Sequence, residues 1–206
     1  MHRSLLLVDL DGFGNRDDLE QAYMRRTLSG ILGRVATAAG VGPEARQQAD
    51  RGDGVMELID AAVPVADLLR TLLKVVPADL NAVNRLTSDS ARIRLRLVLA
   101  TGSVAVDDHG GWVGAALNDA CRLLDADLLR PALRERNDDY ALSVSGSVYW
   151  GTVRQNHDGI PAKDFYEVNV RTKNGMQQMW LYRPPRAGRP QHGGGPPVGP
   201  GAVGTL

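Results

Sequence analysis

The stretch that most constrains the fold runs from Leu5 to Phe13, where aliphatic residues lead directly into two carboxylates. Four consecutive aliphatic residues predict a strand that is buried on both faces. A buried strand that ends in Asp9 and Asp11 costs free energy unless a positive charge compensates the carboxylates. A divalent cation is one such compensator, so the stretch predicts a metal site at the end of a central strand.

A second acidic segment, Arg-Gly-Asp-Gly at residues 51–54, lies between the strand-like runs 47–49 and 55–59. This arrangement predicts a tight hairpin with Asp53 at its tip. Asp-Gly is also a favoured hairpin turn without any function, and Asp9 alone could be a solvated carboxylate at a strand end. The working hypothesis is that Asp9 and Asp53 hold metal together.

Bulk composition excludes several classes of protein. The 206 residues and 43% hydrophobic content suit one globular domain. Lys plus Arg and Asp plus Glu both number 24, so a dedicated nucleic-acid binder, which needs a basic excess, is disfavoured. Arg92, Arg94 and Arg96 alternate with aliphatic residues, which predicts a solvated sheet face rather than a track for a polyanion.

Cysteine usage and hydropathy predict the cellular compartment of the protein. Cys121 is the single cysteine, so no intrachain disulfide can form, and its place on an apolar helical stripe predicts a core residue. No signal-peptide pattern is present at Met1. No apolar run approaches the ~20 residues of a membrane-spanning helix. We expect a cytoplasmic protein that binds neither membrane nor nucleic acid.

Hydrophobic periodicity and chain breakers predict a mixed α/β sheet. The predicted elements, after the first strand, are a long helix from a capping box at 17–20 to the breakers at 40–43, the hairpin around Asp53, helices at 64–76 and 78–86, a strand at 93–106, a helix from about 113, a strand at 141–144, a short helix or turn at 145–153, and a closing hairpin of 165–170 with 179–182. Thirteen of the 23 residues from 184 to 206 are Pro or Gly, which predicts a disordered tail beyond a domain of residues 1–183.

The helix after residue 113 carries Asn118 and Arg122, which are four residues apart and project from one face. Together with two metal-binding carboxylates they suit nucleotidyl transfer. Metals on Asp9 and Asp53 would activate a hydroxyl and neutralise pyrophosphate, Arg122 would stabilise charge on the transferred phosphorus, and Asn118 would orient the sugar. Arg122 could instead pair with an acidic residue of its own helix.

In this order the segments resemble the class III nucleotidyl cyclases, the adenylate and guanylate cyclase catalytic domain. Residues 8–13 look like the family's first metal strand, residues 51–56 like its second metal hairpin, and residues 114–123 like its transition-state helix. The resemblance spans about residues 4–182.

The resemblance implies a ferredoxin-like βαββαβ palm core with extra helices and a C-terminal hairpin. It also implies cyclisation of a nucleoside triphosphate to a 3′,5′-cyclic monophosphate and pyrophosphate, with two Mg²⁺ or Mn²⁺ ions per site. The implied homodimer is head-to-tail with shared active sites: Asp9 and Asp53 come from one protomer, and Asn118 and Arg122 from the other. The carbonyl of Leu10 is implied as a further metal ligand.

Further residues are candidates for contact with the nucleotide. Phe13 closes the first metal strand, and Lys173 is a candidate for the family's triphosphate-binding lysine. Trp112, beside the glycines, could stack on a base or be a packing residue.

The two positions at which the family reads its purine base carry Ala49, four residues before Asp53, and Gly111, seven before Asn118. Neither side chain can read a base edge, which argues against a standard adenylate cyclase. Two explanations stay open. The pocket reads another base, as do the pyrimidine cyclases of the bacterial anti-phage Pycsar systems, or the domain is degenerate and acts by nucleotide binding or dimerisation.

The diguanylate cyclases are a lower-ranked alternative, since residues 9–13 with Gly52 and Asp53 resemble them too. Their Gly-Gly-Asp/Glu-Glu-Phe signature is missing from the chain, and they have no counterpart to the helix of Asn118 and Arg122.

Overall fold

The computed structural model describes residues 1–135, 138–172 and 175–183. Within these ranges the chain forms a seven-strand sheet, a separate two-strand ribbon and five α-helices. The strands are β1 (His2–Leu10), β2 (Arg46–Asp50), β3 (Gly54–Asp60), β4 (Leu95–Ser103), β5 (Ala105–Val106), β6 (Trp112–Val113), β7 (Tyr140–Ser145), β8 (Phe165–Thr172) and β9 (Gly175–Tyr182). The helices are α1 (Asp18–Ala38), α2 (Val65–Asn84), α3 (Ala115–Asp125), α4 (Leu129–Arg134) and α5 (Gly146–Gly151). The predicted tail lies outside the described residues.

The sheet has the strand order β2-β3-β1-β4-β7-β9-β8. Its first four strands pair antiparallel, and with α1 and α2 between them they form the predicted ferredoxin-like βαββαβ core. Strand β7 adds parallel to β4, and the β8–β9 hairpin extends the sheet beyond it. The predicted fold class is therefore confirmed, with the extra helices and the closing hairpin.

Strand β1 lies at the centre and is buried on both faces, as its aliphatic run predicts. Leu6, Val8 and Leu10 pack in the core beneath α1 and α2, and Leu5 and Leu7 pack in the core beneath α3 and α4. Because side chains alternate along a strand, Asp9 projects to the same side as Leu5 and Leu7, which is the α3 side of the sheet.

Helix α1 begins after Asp17, the first residue of the predicted capping box, and the structure shows the N-cap half of that motif. The Asp17 carboxylate accepts a hydrogen bond from the Glu20 backbone N–H at 2.8 Å, and Gly40 in the left-handed region follows the helix end. In the described part of the chain, no helix is both long and apolar enough to span a membrane.

Helix α2 differs from the sequence prediction. We expected Pro77 to separate two helices, but a single helix runs through it. The buried residues Leu72, Val76 and Leu80 continue one apolar stripe across the proline, and their packing offsets the missing backbone hydrogen bond.

Two smaller differences concern the region after the central strands. Helix α3 begins at Ala115, not near Val113, because Trp112 and Val113 pair with β5 in the ribbon. Helix α4 was not predicted as a separate element.

Candidate active site

The strand register places Asp9 between Gly54 on β3 and Arg96 on β4. At Gly54 a Cβ atom would lie 2.2 Å from the carbonyl oxygen of Val8, so only glycine permits so close an approach of the two strands. This contact brings the tip of the β2–β3 hairpin, with Asp53, beside the end of β1.

Several contacts fix the hairpin tip. The Leu10 backbone N–H donates to the Asp53 carbonyl at 2.9 Å. Arg25 of α1 bonds the Asp50 carboxylate at 3.1 Å and also donates to the carbonyl of Gly52, which adopts a left-handed conformation with φ +82°. Because the N–H and C=O of one strand residue point to the same side, the Leu10 carbonyl also faces this hairpin.

The Asp9 and Asp53 side chains are close enough to interact electrostatically, and the Arg96 guanidinium forms an ion pair with Asp9. Asp9 is only 8% exposed. Burial raises the pKa of Asp9 from its ordinary 3.8 to about 6, Arg96 opposes this rise, and the neighbouring Asp53 charge adds to it. The two carboxylates therefore compete for a compensating charge, which a bound cation would supply.

Arg96 contradicts the expected solvated face, because it is 5% exposed. The side of β4 on which it lies is apolar further along, with Val98 and Ala100 in the core beneath α3. Arg92 instead pairs with Asp139, with Nε to Oδ1 at 2.8 Å. The alternation of arginine with aliphatic residues suggested an exposed face, so it did not identify Arg96 as a candidate. The apolar residues on both faces of the strand beyond Arg96 were the available signal, because a charge among buried residues needs a buried partner.

The oxygen donors at the end of β1 fit a hard divalent cation. They are the carboxylates of Asp9 and Asp53 and, on the same side, the Leu10 carbonyl, a ligand type that Mg²⁺ and Mn²⁺ prefer. In residues 1–135, 138–172 and 175–183, no group of three or more His, Cys, Asp or Glu side chains is placed to hold a metal. Mg²⁺ commonly takes one or two carboxylates and completes its shell with water and substrate phosphates.

Asn118 and Arg122 lie on α3 and line a cavity of about 440 Å³ together with Arg171 and Thr172 of β8. Arg122 pairs with Asp119 of its own helix at 2.8 Å, which was the simple alternative for this residue. In the described part of the chain, no hydrogen bond or ion pair joins Asn118 or Arg122 to Asp9 or Asp53. Within one chain, the two halves of the predicted site are thus not linked by a polar contact.

Cys121 lies between these two residues and contacts the hairpin. Its Sγ is 3.7 Å from Arg51 Nη1 and 4.0 Å from Met56 Sδ. Burial raises the pKa of the Cys121 thiol, so the protonated form dominates and the residue is a poor nucleophile. Cys121 therefore packs, as its apolar stripe predicts.

The other candidates for nucleotide contact are distributed over the sheet. Phe13 is half-buried against the core beneath α1 and α2, and Trp112 is half-buried against the core beneath α3. Ala49 lies opposite Met56 in the β2–β3 pair. Lys173 lies outside the described residues.

At Gly111 the structure places a carboxylate that the sequence analysis did not single out. Gly111 N–H donates to Asp107 Oδ1 at 2.7 Å, and Asp107 N–H donates to the Gly111 carbonyl at 2.8 Å. A Cβ atom on Gly111 would lie 2.5 Å from Asp107 Oδ2. The Asp107 carboxylate thus occupies the space of a side chain at position 111.

Comparison with known proteins gives structural neighbours only. Neither a family model nor a curated protein matches the sequence. The adenylate/guanylate cyclase/hydrolase from Silicibacter pomeroyi matches with a TM-score of 0.56 and 19% identity, over 89% of this chain and 98% of that chain. The guanylate cyclase domain of RhGC from Catenaria anguillulae, in complex with GTP, matches with a TM-score of 0.54 and 16% identity, over 90% and 97%.

A third neighbour is the non-canonical dimeric guanylyl cyclase domain of the RhoGC fusion protein from Blastocladiella emersonii, with a TM-score of 0.54 and 14% identity over 89% and 96% of the two chains. These matches cover nearly the whole of each chain, and at such low sequence identity they show the fold alone. The chain therefore has the fold of the class III adenylate and guanylate cyclase catalytic domains.

Proposed function

We propose that the protein is a metal-dependent nucleotidyl cyclase that converts a nucleoside triphosphate to a 3′,5′-cyclic monophosphate and pyrophosphate. The observation that carries this proposal is the meeting of Asp9, Asp53 and Arg96 at the end of β1. The cyclase fold supports this proposal, because the resemblance to the class III cyclases assigns metal binding to these two carboxylates.

Asp9, Asp53 and the Leu10 carbonyl would hold Mg²⁺ or Mn²⁺, two ions per site. Bound there, the ions would lower the pKa of the attacking 3′-hydroxyl and neutralise charge on the leaving pyrophosphate. Arg96 compensates Asp9 in the free protein. Once Asp9 has another cation for a partner, the guanidinium, whose Nε is buried without a hydrogen-bond partner in the described chain, can donate to a phosphate oxygen.

The second half of the site comes from another copy of the chain in this proposal. Arg122 stabilises negative charge on the phosphorus that is attacked, and Asn118 orients the ribose. A homodimer with shared sites accounts for the absence of a hydrogen bond or ion pair between these residues and Asp9 or Asp53 within the described part of one chain.

For the base we propose a pyrimidine, and cytosine in particular. Ala49 provides no charged or hydrogen-bonding group for a purine edge. Of the two pyrimidines cytosine is favoured, because the Asp107 carboxylate, which fills the side-chain space of Gly111, can accept a hydrogen bond from the 4-amino group of cytosine but would meet the 4-carbonyl oxygen of uracil, which is also an acceptor. A pyrimidine product would suit anti-phage signalling of the Pycsar type.

Incubation with ATP, GTP, CTP and UTP in separate reactions with Mn²⁺ tests the activity. We expect a cyclic monophosphate from at least one triphosphate, with CTP the best substrate, detected by mass spectrometry. The Asp53→Ala variant removes a metal ligand and should abolish the product. Absence of product from all four triphosphates, or product that survives the substitution, would contradict the proposal.

A second candidate is a degenerate cyclase domain that binds nucleotide or dimerises without catalysis. The ion pair between Arg96 and Asp9 favours it, because this pair balances one buried carboxylate without metal. Triphosphate binding in a calorimeter with Mn²⁺ present, but with no turnover, would support this candidate over the cyclase.

A further inference from the structure

We propose a second ligand site, in a cavity of about 730 Å³ between α2 and the loop of residues 156–161. It binds a small organic anion, a carboxylate or phosphate carried on an apolar or aromatic group. This inference is independent of the proposed cyclase activity. The volume lies within the range of small-molecule sites, ~300–1,000 Å³.

One side of the cavity is apolar. Leu73 of α2, Ile160 and Pro161 of the loop and the ring of Tyr182 line it. An apolar wall with a small number of polar groups is typical of sites that bury most of a small ligand. The wall therefore favours an organic ligand over a bare inorganic ion.

The other side carries positive charge. Arg70 and Lys74 lie one turn apart on α2, and His157 of the loop lines the same space. Lys74 has no ion pair or hydrogen bond within the described residues. Arg70 donates from Nε to the Asp158 carbonyl at 2.9 Å and pairs through Nη1 with Asp67, while its Nη2 has no partner in the described part of the chain. Two donors are thus left for an anion.

The loop is held in place before any ligand arrives. Asn156 and Gly159 both adopt left-handed conformations, with φ 51° and φ 77°. The Asn156 side-chain oxygen accepts from the Ala162 N–H at 3.2 Å. A Cβ atom at Gly159 would lie 3.0 Å from Cγ of Arg70, so glycine lets the loop pack on the arginine stem. A preformed site needs little ordering on binding.

The cavity is separate from the candidate active site. Ile160 and Tyr182 belong to the core beneath α1 and α2, whereas Asp9 projects to the α3 side of the sheet. Asp158 is the one acidic side chain among the described residues lining the cavity, against Arg70 and Lys74. Because Asp67 already pairs with Arg70, it is the Lys74 ammonium, with no ion pair in the described residues, that favours an anion over a neutral ligand of the same shape.

The test uses 8-anilinonaphthalene-1-sulfonate as an aromatic anion and N-phenyl-1-naphthylamine as its neutral counterpart. Amide shifts in a ¹⁵N NMR titration locate each probe, and the same titration provides its affinity. We expect the anion to shift the amides of residues 156–160 and to bind at least about fivefold more tightly than the neutral probe, the size of one half-exposed charged contact.

Lys74→Gln removes a charge that has no partner in the described chain, so the fold should persist while the affinity for the anion falls about fivefold. Arg85→Gln is the matched control, because Arg85 is an exposed cation at the end of the same helix and does not line the cavity. Shifts centred elsewhere, equal affinity for the two probes, or equal effects of the two substitutions would overturn the proposal.

Discussion

The ion pair between Asp9 and Arg96 is buried, with side chains 11% and 6% exposed, so each member depends on the other. Arg96→Met would leave Asp9 beside Asp53 without a compensating charge. Breaking a buried pair from one side costs about 3–5 kcal/mol of unfolding free energy. We expect a loss of this size in urea unfolding without added metal, and partial recovery in the double variant Asp9→Asn with Arg96→Met.

Arg92→Met is the matched control for this prediction. Its side chain is 45% exposed and pairs with Asp139 at the sheet end, so its loss should cost at most about 1 kcal/mol. If Arg96→Met costs no more than Arg92→Met, the buried pair does not stabilise the site as we argue.

The proposed base preference depends on a single carboxylate, that of Asp107. Asp107→Ala removes the acceptor that fills the side-chain space of Gly111. A hydrogen bond from the cytosine amino group to a carboxylate is worth about 1–3 kcal/mol, so kcat/KM for CTP should fall about tenfold or more and that for UTP much less. Steady-state rates with both triphosphates measure the ratio.

Asp108→Ala is the control, since Asp108 is the next acidic residue in the same turn and Gly111 has its contact with Asp107 instead. Both variants need checking by circular dichroism, because Asp107 also accepts from the His109 N–H and orders the turn. An unchanged ratio of CTP to UTP activity in folded Asp107→Ala protein would exclude a base-reading role.

At the scale of elements, Pro77 lies inside α2 at a position where the backbone is helical. Pro77→Ala would restore an N–H that can donate to the Leu73 carbonyl. An interior proline costs about 3 kcal/mol relative to alanine, and its restriction of the unfolded chain returns about 1 kcal/mol. We expect the variant to be more stable by about 1–2 kcal/mol in urea unfolding.

Pro64→Ala separates this effect from a general effect of proline. Pro64 immediately precedes α2 with φ −62°, where no helical hydrogen bond is lost. Alanine there should leave stability unchanged or lower it by at most about 1 kcal/mol. A Pro77→Ala variant no more stable than the wild type would show that the packed stripe already suppresses the cost.

The same elements show what the sequence could and could not predict. The strand at residues 5–8 and the hairpin of Asp53 could be predicted, because an aliphatic run and a Gly-rich turn determine the local backbone within a few residues. The burial of Arg96 depends on contact between two strands, and the placement of Asp107 at Gly111 depends on the conformation of one short turn. Register across β1 and β4 decides the first, and a turn closed by its own side chain decides the second.

At the scale of the whole molecule, the sheet separates the two proposed sites. The face beneath α3 carries Asp9 and Arg96, and the face beneath α1 and α2 borders the cavity of Arg70 and Lys74. Strand alternation produces this division, since consecutive residues of β1 point to opposite cores. A ligand in the cavity would not contact a nucleotide held by Asp9.

The proposed division of the site, with Asp9 and Asp53 from one protomer and Asn118 and Arg122 from the other, leads to a prediction about assembly. Asp53→Ala and Arg122→Ala should each be inactive alone, because each removes one half of every shared site. In a mixed dimer, one of the two sites combines an intact Asp53 with an intact Arg122 from the other protomer. After random exchange of equal amounts, about half of the dimers are mixed, so activity should return to about a quarter of the wild-type value.

The measurement is the rate of cyclic product after the two variants are denatured together and refolded, compared with variants refolded separately and then combined briefly. Mass in solution, by light scattering at the assay concentration, shows whether dimers are present. Recovery only after joint refolding would establish that the two halves come from different protomers. If joint refolding recovers nothing although mixed dimers form, Asp53 and Arg122 must serve one site within the same chain, and α3 would have to move toward the end of β1 when nucleotide binds.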